Sequence, residues 1–256
     1  MLLSRRKQEI MELLKEKRSI SVQALIELLP VSPATVRRDI VSLEKEGLIR
    51  RTRGEIHLSG VEHETIFPYV TRSIYHQKEK SRIGKLAARF VDDHTSIILD
   101  SSSTIFFLAQ ELLDRHLTVV TNSIDISAVL TASHAQVISC GGLLQHEHRC
   151  FLGPDAQAFL SKIEVDAAFL GASGIRLGSG LTSSSPFQRD IKQAMIASAK
   201  KRYALFDSSK FTTSKLYVFA DFKEFDALIT NTPLPGSKEE SIMGQLIRSG
   251  VNIIHG

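Results

Sequence analysis

Small, hydroxyl and arginine side chains are concentrated in the segment from Ser32 to Ile40. Ser32 can accept from N–H groups one turn further on, and the proline that follows it suits the first position of a helix. Val36, Ile40 and Leu43 recur at helical spacing and form an apolar stripe. The opposite face suits a DNA major groove, because small residues permit close approach while arginines reach phosphates or guanine edges. The predicted DNA contacts of this segment are Ser32, Ala34, Thr35, Arg37, Arg38 and Ser42.

A second group of polar and glycine residues follows a series of apolar runs further along the chain. Hydroxyls and backbone N–H groups at helix N-termini bind small anions, phosphate above all. Lys192 and Lys210 could add positive charge, and Asp100 and Asp207 could accept from ligand hydroxyls. A polyol that carries a phosphate would use all of these groups; alternatively, the Ser and Thr residues only cap helices. The predicted effector contacts are Asp100, Ser101, Ser102, Ser103, Thr104, Thr121, Asn122, Ser123, Gly142, Gly171, Gly174, Lys192, Asp207 and Lys210.

Two helices and a hairpin are expected to position the first group. Apolar spacing predicts a helix over residues 5–16 and a second helix that opens at Ser21 and stops at Pro30. The second helix, a tight turn and the helix that begins at Pro33 together form a helix-turn-helix over about residues 20–39. Residues 48–58 alternate loosely and turn at Gly54, which indicates a β-hairpin, the wing of a winged helix. The arginines of the hairpin would follow the phosphates of the DNA backbone. Alternatively, the three-helix unit with its basic face could dock another protein. The predicted wing contacts are Arg50, Arg51 and Arg53.

A parallel sheet is expected to position the second group. Apolar runs alternate with helical patterns, and continuous apolar strands between helices are typical of a parallel sheet covered on both faces. Ligands of such sheets bind beyond the carboxyl ends of the strands, which is where the second group falls. The predicted strands are residues 96–100, 117–120, 136–139, 165–170, 203–206, 227–230 and 251–254, with helices from 83, around 126–130 and over 191–199.

Charge and composition limit the classes of protein and partner. Residues 1–60 hold 12 of the 32 Lys and Arg against 8 of the 28 Asp and Glu, whereas the remaining residues hold 20 of each. An anionic partner is therefore expected for the first quarter of the chain only. No apolar run approaches the roughly 20 residues of a membrane span, and we expect a cytoplasmic protein with reduced thiols. We predict no cofactor and no metal, since Cys140, His146, His148 and Cys150 match no standard zinc spacing.

These motifs resemble, along nearly the whole chain, the DeoR family of bacterial transcriptional regulators. The N-terminal likeness lies in Thr35-Val36-Arg37-Arg38-Asp39-Ile40, with Leu43-Glu44, Gly47-Leu48 and Arg51-Thr52 behind it. The C-terminal likeness comprises Glu79-Lys80, Ile83-Gly84, Leu99-Asp100-Ser101, Val119-Val120-Thr121-Asn122-Ser123, Gly141-Gly142, Phe169-Leu170-Gly171, Gly180-Leu181-Thr182, Lys192 and Asp207-Ser208-Ser209-Lys210-Phe211.

The resemblance implies an α/β protein with an N-terminal winged helix-turn-helix and a Rossmann-like sensor domain similar to ribose-5-phosphate and glucosamine-6-phosphate isomerases. It implies a DNA-binding domain at residues 1–58, a linker at 59–76 and an effector-binding and oligomerisation domain at 77–256. It also implies a homo-oligomer, dimer or tetramer, that usually represses a sugar operon by binding double-stranded operator DNA and is released by a phosphorylated sugar. Thr182 joins the predicted effector contacts on this basis. The alternative is an active sugar-phosphate isomerase with an accessory DNA-binding domain.

The chain departs from the family pattern at three places. Arg53 and Glu55 replace a histidine and a glycine of the wing, and Ser102 and Ser103 replace a glycine and a threonine of the first sensor loop. A side chain at position 102 restricts the close approach of a phosphate, which glycine accommodates freely. After Thr182, where an acidic residue is common, residues 183–190 read Ser-Ser-Ser-Pro-Phe-Gln-Arg-Asp, so an atypical ligand is expected.

Overall fold

The computed structural model describes residues 5–17, 19–45, 48–52, 55–58 and 75–256. The chain divides into two compact units, Met1–Tyr75 and His76–Gly256. Of the sequence predictions, those on Gly47, Arg53, Gly54 and linker residues 59–74 lie outside the described residues. No helix in the described ranges has the length and apolar character needed to span a membrane.

The N-terminal unit combines three helices with a small antiparallel sheet. Its helices are α1 (Arg5–Lys17), α2 (Val22–Leu28) and α3 (Pro33–Lys45), and its strands are β1 (Ser19–Ser21), β2 (Ile49–Thr52) and β3 (Glu55–Leu58). The sheet has the order β1-β3-β2. The predicted helices and the hairpin strands are present, and Ser21 accepts from the N–H of Ala24 as the cap of α2. β1 was not predicted, because three residues are too short to show alternation and their partner β3 is distant in sequence.

One apolar cluster fills the N-terminal unit. The stripe of α3 lies in it, with Val36, Ile40 and Leu43 fully buried. Each of the other elements contributes side chains, among them Ile10, Leu14, Leu25, Ile49 and Ile56. Burial of the predicted stripe fixes which face of α3 remains accessible.

The C-terminal unit is built on a seven-stranded parallel sheet with the order β15-β14-β12-β9-β4-β5-β6. Its strands are β4 (Ser96–Leu99), β5 (Thr118–Thr121), β6 (Gln136–Ser139), β9 (Val165–Gly171), β12 (Ala199–Leu205), β14 (Ala227–Thr230) and β15 (Ile253–His255). Its helices are α4 (Gln77–Ala87), α5 (Ser103–Glu111), α6 (Ile124–Val129), α7 (Pro154–Leu160), α8 (Pro186–Ala197) and α9 (Lys238–Arg248), with 3-10 turns at Ala88–Phe90, Leu130–Ala132, Ser208–Thr212 and Phe222–Glu224. Two large apolar clusters complete the core.

The order of the strands creates a topological switch point between β4 and β9. From β4 the chain proceeds outward through β5 to β6, and it then returns to β9 on the other side and continues through β12 to β15. In open sheets of this type, ligands bind beyond the carboxyl ends of the strands at the switch point. Asp100 directly follows β4 and Gly171 ends β9, so both lie there.

Several element boundaries differ from the predictions, and two small sheets were not predicted. α8 begins five residues earlier than expected because Ser185 caps it and Pro186 occupies its first turn. β12 begins at Ala199, before the expected apolar run, and its first half was not predicted because it carries exposed lysines. The additional sheets are β10 (Gly174–Arg176), β11 (Gly180–Ser183) and β13 (Tyr217–Ala220), in the order β10-β11-β13, and the hairpin of β7 (Leu143–Gln145) and β8 (Cys150–Leu152).

Candidate DNA-contacting face and effector site

The accessible face of α3 carries the side chains that were predicted to contact DNA. Ala34, Arg37 and Arg38 are exposed, and Thr35 is half-buried. Ser32 caps the helix by accepting from the N–H of Thr35 at 3.3 Å, and the two hydroxyls lie 2.9 Å apart. The face therefore presents two guanidinium groups beside a small, hydroxyl-bearing entry to the helix.

Two contacts from α1 to α3 were not visible in the sequence. Asp39 is buried and accepts from the Arg6 guanidinium, whose Nη2 lies 3.1 Å from Oδ1. Lys7 donates to the hydroxyl of Ser42 at 2.7 Å. Ser42 is therefore half-buried against α1, at the edge of the predicted face rather than in its centre. These contacts fix the orientation of α3 relative to α1.

The β2 strand places the two described wing arginines beside α3. Both Arg50 and Arg51 are exposed. The Nε atom of Arg51 lies 3.2 Å from the carboxylate of Glu44, which is on α3. Arg51 thus connects the hairpin to α3, a role that its position in an arginine run did not reveal.

Asp100 organises the switch point of the C-terminal unit. Its Oδ1 accepts from the N–H of Ser102 at 2.8 Å, and its Oδ2 accepts from the N–H of Gly171 at 2.9 Å. Lys192, which α8 brings to the same place, donates to Oδ2 and, at 2.8 Å, to the carbonyl of Gly171. The Lys192 ammonium also lies 5.2 Å from the ring centroid of Phe219. Both charged groups are buried, so they neutralise each other within the protein.

Ser102 and Gly171 meet at close range beside this ion pair. The hydroxyl of Ser102 accepts from the N–H of Ile105 at 3.2 Å and caps α5. A Cβ atom built on Gly171 would lie 2.3 Å from the Cβ of Ser102 and 2.2 Å from its hydroxyl oxygen. Glycine at 171 is therefore what leaves room for the serine at 102.

Most of the predicted hydroxyl and amide contacts at the end of β5, the strand next to β4, already have hydrogen-bond partners within the protein. Thr121 donates to the carbonyl of Leu99 at 2.6 Å, and Ser123 caps α6 by accepting from Ile126 at 3.3 Å. Asn122 donates to the carbonyl of Phe151 at 3.1 Å, while its buried Oδ1 has no hydrogen-bond partner among the described residues. Ser101, in the loop after β4, and Ser103 and Thr104, the first two residues of α5, are buried.

Three predicted residues lie on the small strands or beside them. Gly142 is exposed ahead of β7, and Gly174 begins β10. Thr182 is buried in β11 and accepts from the N–H of Lys215 at 2.9 Å. Gly174 and Thr182 lie opposite each other in the β10-β11-β13 sheet, and none of the three residues takes part in the Asp100–Lys192 contact.

A second charged cluster lies at the end of β12. Asp207 is 1% exposed, accepts from the hydroxyl of Ser209, and has an Oδ2 with no hydrogen-bond partner among the described residues. Burial raises the pKa of Asp207, but the charges of Lys210 and Lys80 and the Ser209 hydroxyl outweigh it, so the pKa lies below its ordinary value. Lys80, buried on α4, was not among the predicted contacts. The Glu79-Lys80 motif was its only sequence signal.

A helix-turn-helix unit with a basic accessible face, joined to a parallel α/β unit with polar groups at one edge, defines a DNA-binding transcriptional regulator. Residues 6–59 match the DeoR-like helix-turn-helix domain, and residues 75–232 match the DeoR C terminal sensor domain. The chain belongs to the DeoR family of transcriptional regulators. The family, the fold class and the regulator function predicted from the sequence are thereby confirmed.

Characterised relatives cover almost the whole chain. It is 36% identical over 246 residues to the HTH-type transcriptional repressor GlcR of Bacillus subtilis (strain 168), which covers 96% of this chain and 93% of the relative. It is 34% identical over 233 residues to the HTH-type transcriptional regulator IolR of the same organism, covering 89% and 90%. It is 32% identical over 211 residues to the L-fucose operon activator of Escherichia coli (strain K12), covering 82% and 87%.

The solved structures are more distant. Ribose 5-phosphate isomerase A from Methanocaldococcus jannaschii has a TM-score of 0.39 and 18% identity, covering 52% of this chain and 54% of that chain. The sorbitol operon regulator SorC from Klebsiella pneumoniae has a TM-score of 0.41 and 11% identity, covering 94% and 98%.

Proposed function

We propose that the protein represses an operon for sugar or carbohydrate catabolism and that a phosphorylated sugar controls its affinity for double-stranded operator DNA. The observation that carries this proposal is the joining of an arginine-bearing recognition helix to a unit whose lysines and carboxylates gather at the carboxyl ends of a parallel sheet. Domains at residues 1–58 and 77–256, with a linker at 59–76, are part of the proposal. The similarity to GlcR, a transcriptional repressor, supports repression, and the similarity to the L-fucose operon activator supports the link with a sugar operon.

The DNA contacts of this proposal centre on α3. Thr35 and Arg38 lie on its accessible face and are assigned to base edges, and Arg37 at the margin is assigned to phosphate. Arg50, Arg51 and Arg53 of the wing are assigned to the backbone next to it. Ser32, Ala34 and Ser42 line the approach, with Ser42 closest to α1.

The phosphorylated sugar is assigned to the edge that contains the Asp100 and Asp207 clusters. Lys192 already donates to Asp100, so its role in the proposal is to hold Asp100 and Gly171 in place. Lys210 and Lys80 are the cations assigned to the phosphate, because the charges of both act on the Asp207 carboxylate at the end of β12. The Oδ2 atom of Asp207 and the Oδ1 atom of Asn122 are acceptors assigned to sugar hydroxyls, since donors would satisfy these buried atoms.

We further propose that the protein is not an enzyme. Isomerisation of a sugar phosphate needs a base whose pKa lies near the working pH. Asp100 accepts from three donors, and the pKa of Asp207 lies below its ordinary value. Asp207 is therefore a weak proton acceptor, and both oxygens of Asp100 are already occupied by donors, which supports binding of a sugar phosphate without turnover.

A homo-oligomer, dimer or tetramer, completes the proposal. Two winged helices held by one oligomer would read repeated half-sites of the operator. The effector then lowers DNA affinity to the extent that it binds the released state more tightly than the DNA-bound state.

The DNA part is tested with a duplex obtained by selection from a random pool on the full-length protein. We expect Arg38→Ala to weaken binding of that duplex about tenfold or more in a mobility-shift titration at fixed salt. Lys201→Ala, which removes the same charge from an exposed position of the C-terminal unit, is the control and should bind normally. Equal affinities of the Arg38→Ala variant and the wild type would remove α3 from the proposed interface.

The effector part is tested by thermal shift with a panel of pentose, hexose and hexosamine phosphates, because a ligand of the folded state raises apparent stability by mass action. A compound that stabilises the wild type and releases the selected duplex is the expected result, and Lys210→Ala should lose both effects while still binding DNA. Conversion of any of these phosphates into an isomer would overturn the non-enzyme assignment.

A further inference from the structure

Three exposed histidines occupy equivalent positions on three neighbouring strands of the C-terminal unit. His94, His116 and His134 each precede by two residues the first residue of β4, β5 or β6. These strands are adjacent, parallel and in register, with Ser96 opposite Thr118 and Thr118 opposite Gln136. The three imidazoles therefore lie at the amino ends of the strands, at the opposite edge of the sheet from the proposed effector site.

The three rings form a stack, here called the histidine ladder. The ring centroids of His94 and His116 are 5.6 Å apart with an interplanar angle of 15°, and those of His116 and His134 are 5.1 Å apart at 18°. These separations are close to the spacing of about 4.8 Å between neighbouring strands. His116 is the middle member and neighbours both of the others.

Backbone hydrogen bonds fix the bases of the ladder. The N–H of His94 donates to the carbonyl of His116 at 2.6 Å, and that of His134 donates to the carbonyl of Leu113 at 3.3 Å. The N–H of His116 donates to Oδ1 of Asp93 at 3.1 Å. His94 has a φ of 62°, an uncommon conformation for a residue other than glycine. The hydrogen bonds of the sheet thus fix the backbone of all three histidines, and they hold His94 in a conformation that residues other than glycine seldom adopt.

The charges around the ladder are mixed. Asp93 carries the carboxylate nearest to the backbone of His116, and its Oδ2 lies 3.6 Å from Nη1 of Arg115. The positive charge of Arg115 thus partly offsets the negative charge of Asp93. A cation at the ladder would have to be bound mainly by imidazole nitrogens.

We propose that the histidine ladder binds a first-row divalent transition metal, with Zn²⁺, Ni²⁺ and Cu²⁺ as the candidates, between His116 and a neighbouring imidazole. Imidazole is a preferred ligand of these ions, with a metal–nitrogen distance of about 2.0–2.1 Å for zinc. Within the described ranges, no group of three or more His, Cys, Asp or Glu side chains is arranged so that it could hold a metal ion. The site is therefore formed by two rings that turn toward each other, which their exposure permits, and water supplies the remaining ligands. This site is independent of the proposed effector site, since it uses none of the same residues.

The test is calorimetric titration of the full-length, untagged, metal-free protein with Zn²⁺ and, separately, with Ni²⁺. We expect saturable binding that falls roughly tenfold or more in His116→Ala, because both neighbouring pairs contain this residue. His94→Ala and His134→Ala each leave one pair intact and should retain part of the affinity. His255→Ala, which removes an exposed histidine outside the ladder, should bind the metal like the wild type.

Thermal unfolding without metal establishes that each variant is folded. Absence of binding by the folded wild type would overturn the proposal, as would equal metal affinity of the wild type and folded His116→Ala. Loss of binding in His255→Ala equal to that in His116→Ala would also overturn it, by placing the ion elsewhere.

Discussion

Lys192 donates to Asp100 across the switch point of the parallel sheet, and both side chains are almost completely buried. The two residues are 92 positions apart in the sequence. The same ammonium binds the carbonyl of Gly171, and the same carboxylate accepts the N–H of Gly171. A single ion pair thus joins the ends of β4 and β9 to α8. Lys192 accordingly holds Asp100 and Gly171 in position at the proposed effector site.

Lys192→Met is expected to destabilise the C-terminal unit by about 3–5 kcal/mol, because it leaves the Asp100 carboxylate buried without its cation. Urea unfolding of the full chain measures this. The double variant Asp100→Asn with Lys192→Met should recover part of the loss, since no charge then remains buried. Lys201→Met removes an exposed lysine and is the control. A Lys192→Met variant as stable as that control would contradict the importance of the pair.

Gly171→Ala is expected to cost about 1–3 kcal/mol in the free energy of unfolding, because the new methyl group would overlap Ser102. Ser102→Gly in the same chain should relieve much of that cost by removing the atoms that clash. The matched control is Gly244→Ala on α9, where the nearest atom to an added Cβ is the flexible end of Arg248 at 3.3 Å. Failure of Ser102→Gly to improve Gly171→Ala in urea unfolding would refute the predicted clash.

Asp207→Asn is expected to lower stability at neutral pH by an amount that disappears in acid. The pKa of Asp207 lies below its ordinary value, so the ionised group stabilises the folded state above the pKa of about 3.9 that it has when unfolded. That contribution is lost as the pH falls through the lower folded value. Urea midpoints of wild type and variant between pH 7 and pH 3 should therefore converge.

Lys210→Ala provides the second half of this experiment. Removal of its charge brings the folded pKa of Asp207 closer to the ordinary value, so the acid loss of stability should be smaller than in the wild type and complete at a higher pH, while its onset near the unfolded pKa stays in place. A stability gap between wild type and Asp207→Asn that stays constant across this pH range would argue against a depressed pKa.

The Cys140 thiol is expected to react slowly in the native protein. Burial raises its pKa to about 11, so that at pH 8 the nucleophilic thiolate is scarce. A chromogenic disulfide reagent should label Cys140 at a rate limited by opening of the fold and at once in denaturant, with Cys140→Ala identifying its share of the signal. Immediate labelling of native Cys140 would be inconsistent with this environment.

The sequence by itself determined the elements whose pattern is local. The cap at Ser32, the stripe from Val36 to Leu43 and the continuous apolar strands are set by neighbours a few residues away, and the structure contains each of them. The polar groups after β4, β5 and β12 could be assigned to one edge of a sheet for the same reason. These local patterns were sufficient for the family, the fold class and the regulator function.

Only the tertiary structure decided how the charged and hydroxyl groups are paired. Lys7 with Ser42, Arg6 with Asp39, and Lys192 with Asp100 are separated by 35, 33 and 92 positions. Nothing in the local pattern of either partner specifies the other. Such pairs form where packed helices and strands bring two groups together, and a buried charge such as Asp39, Asp100 or Lys192 then requires a partner. The physical reason is that burial and proximity are properties of the assembled core, whereas helix and strand periodicity are properties of the chain.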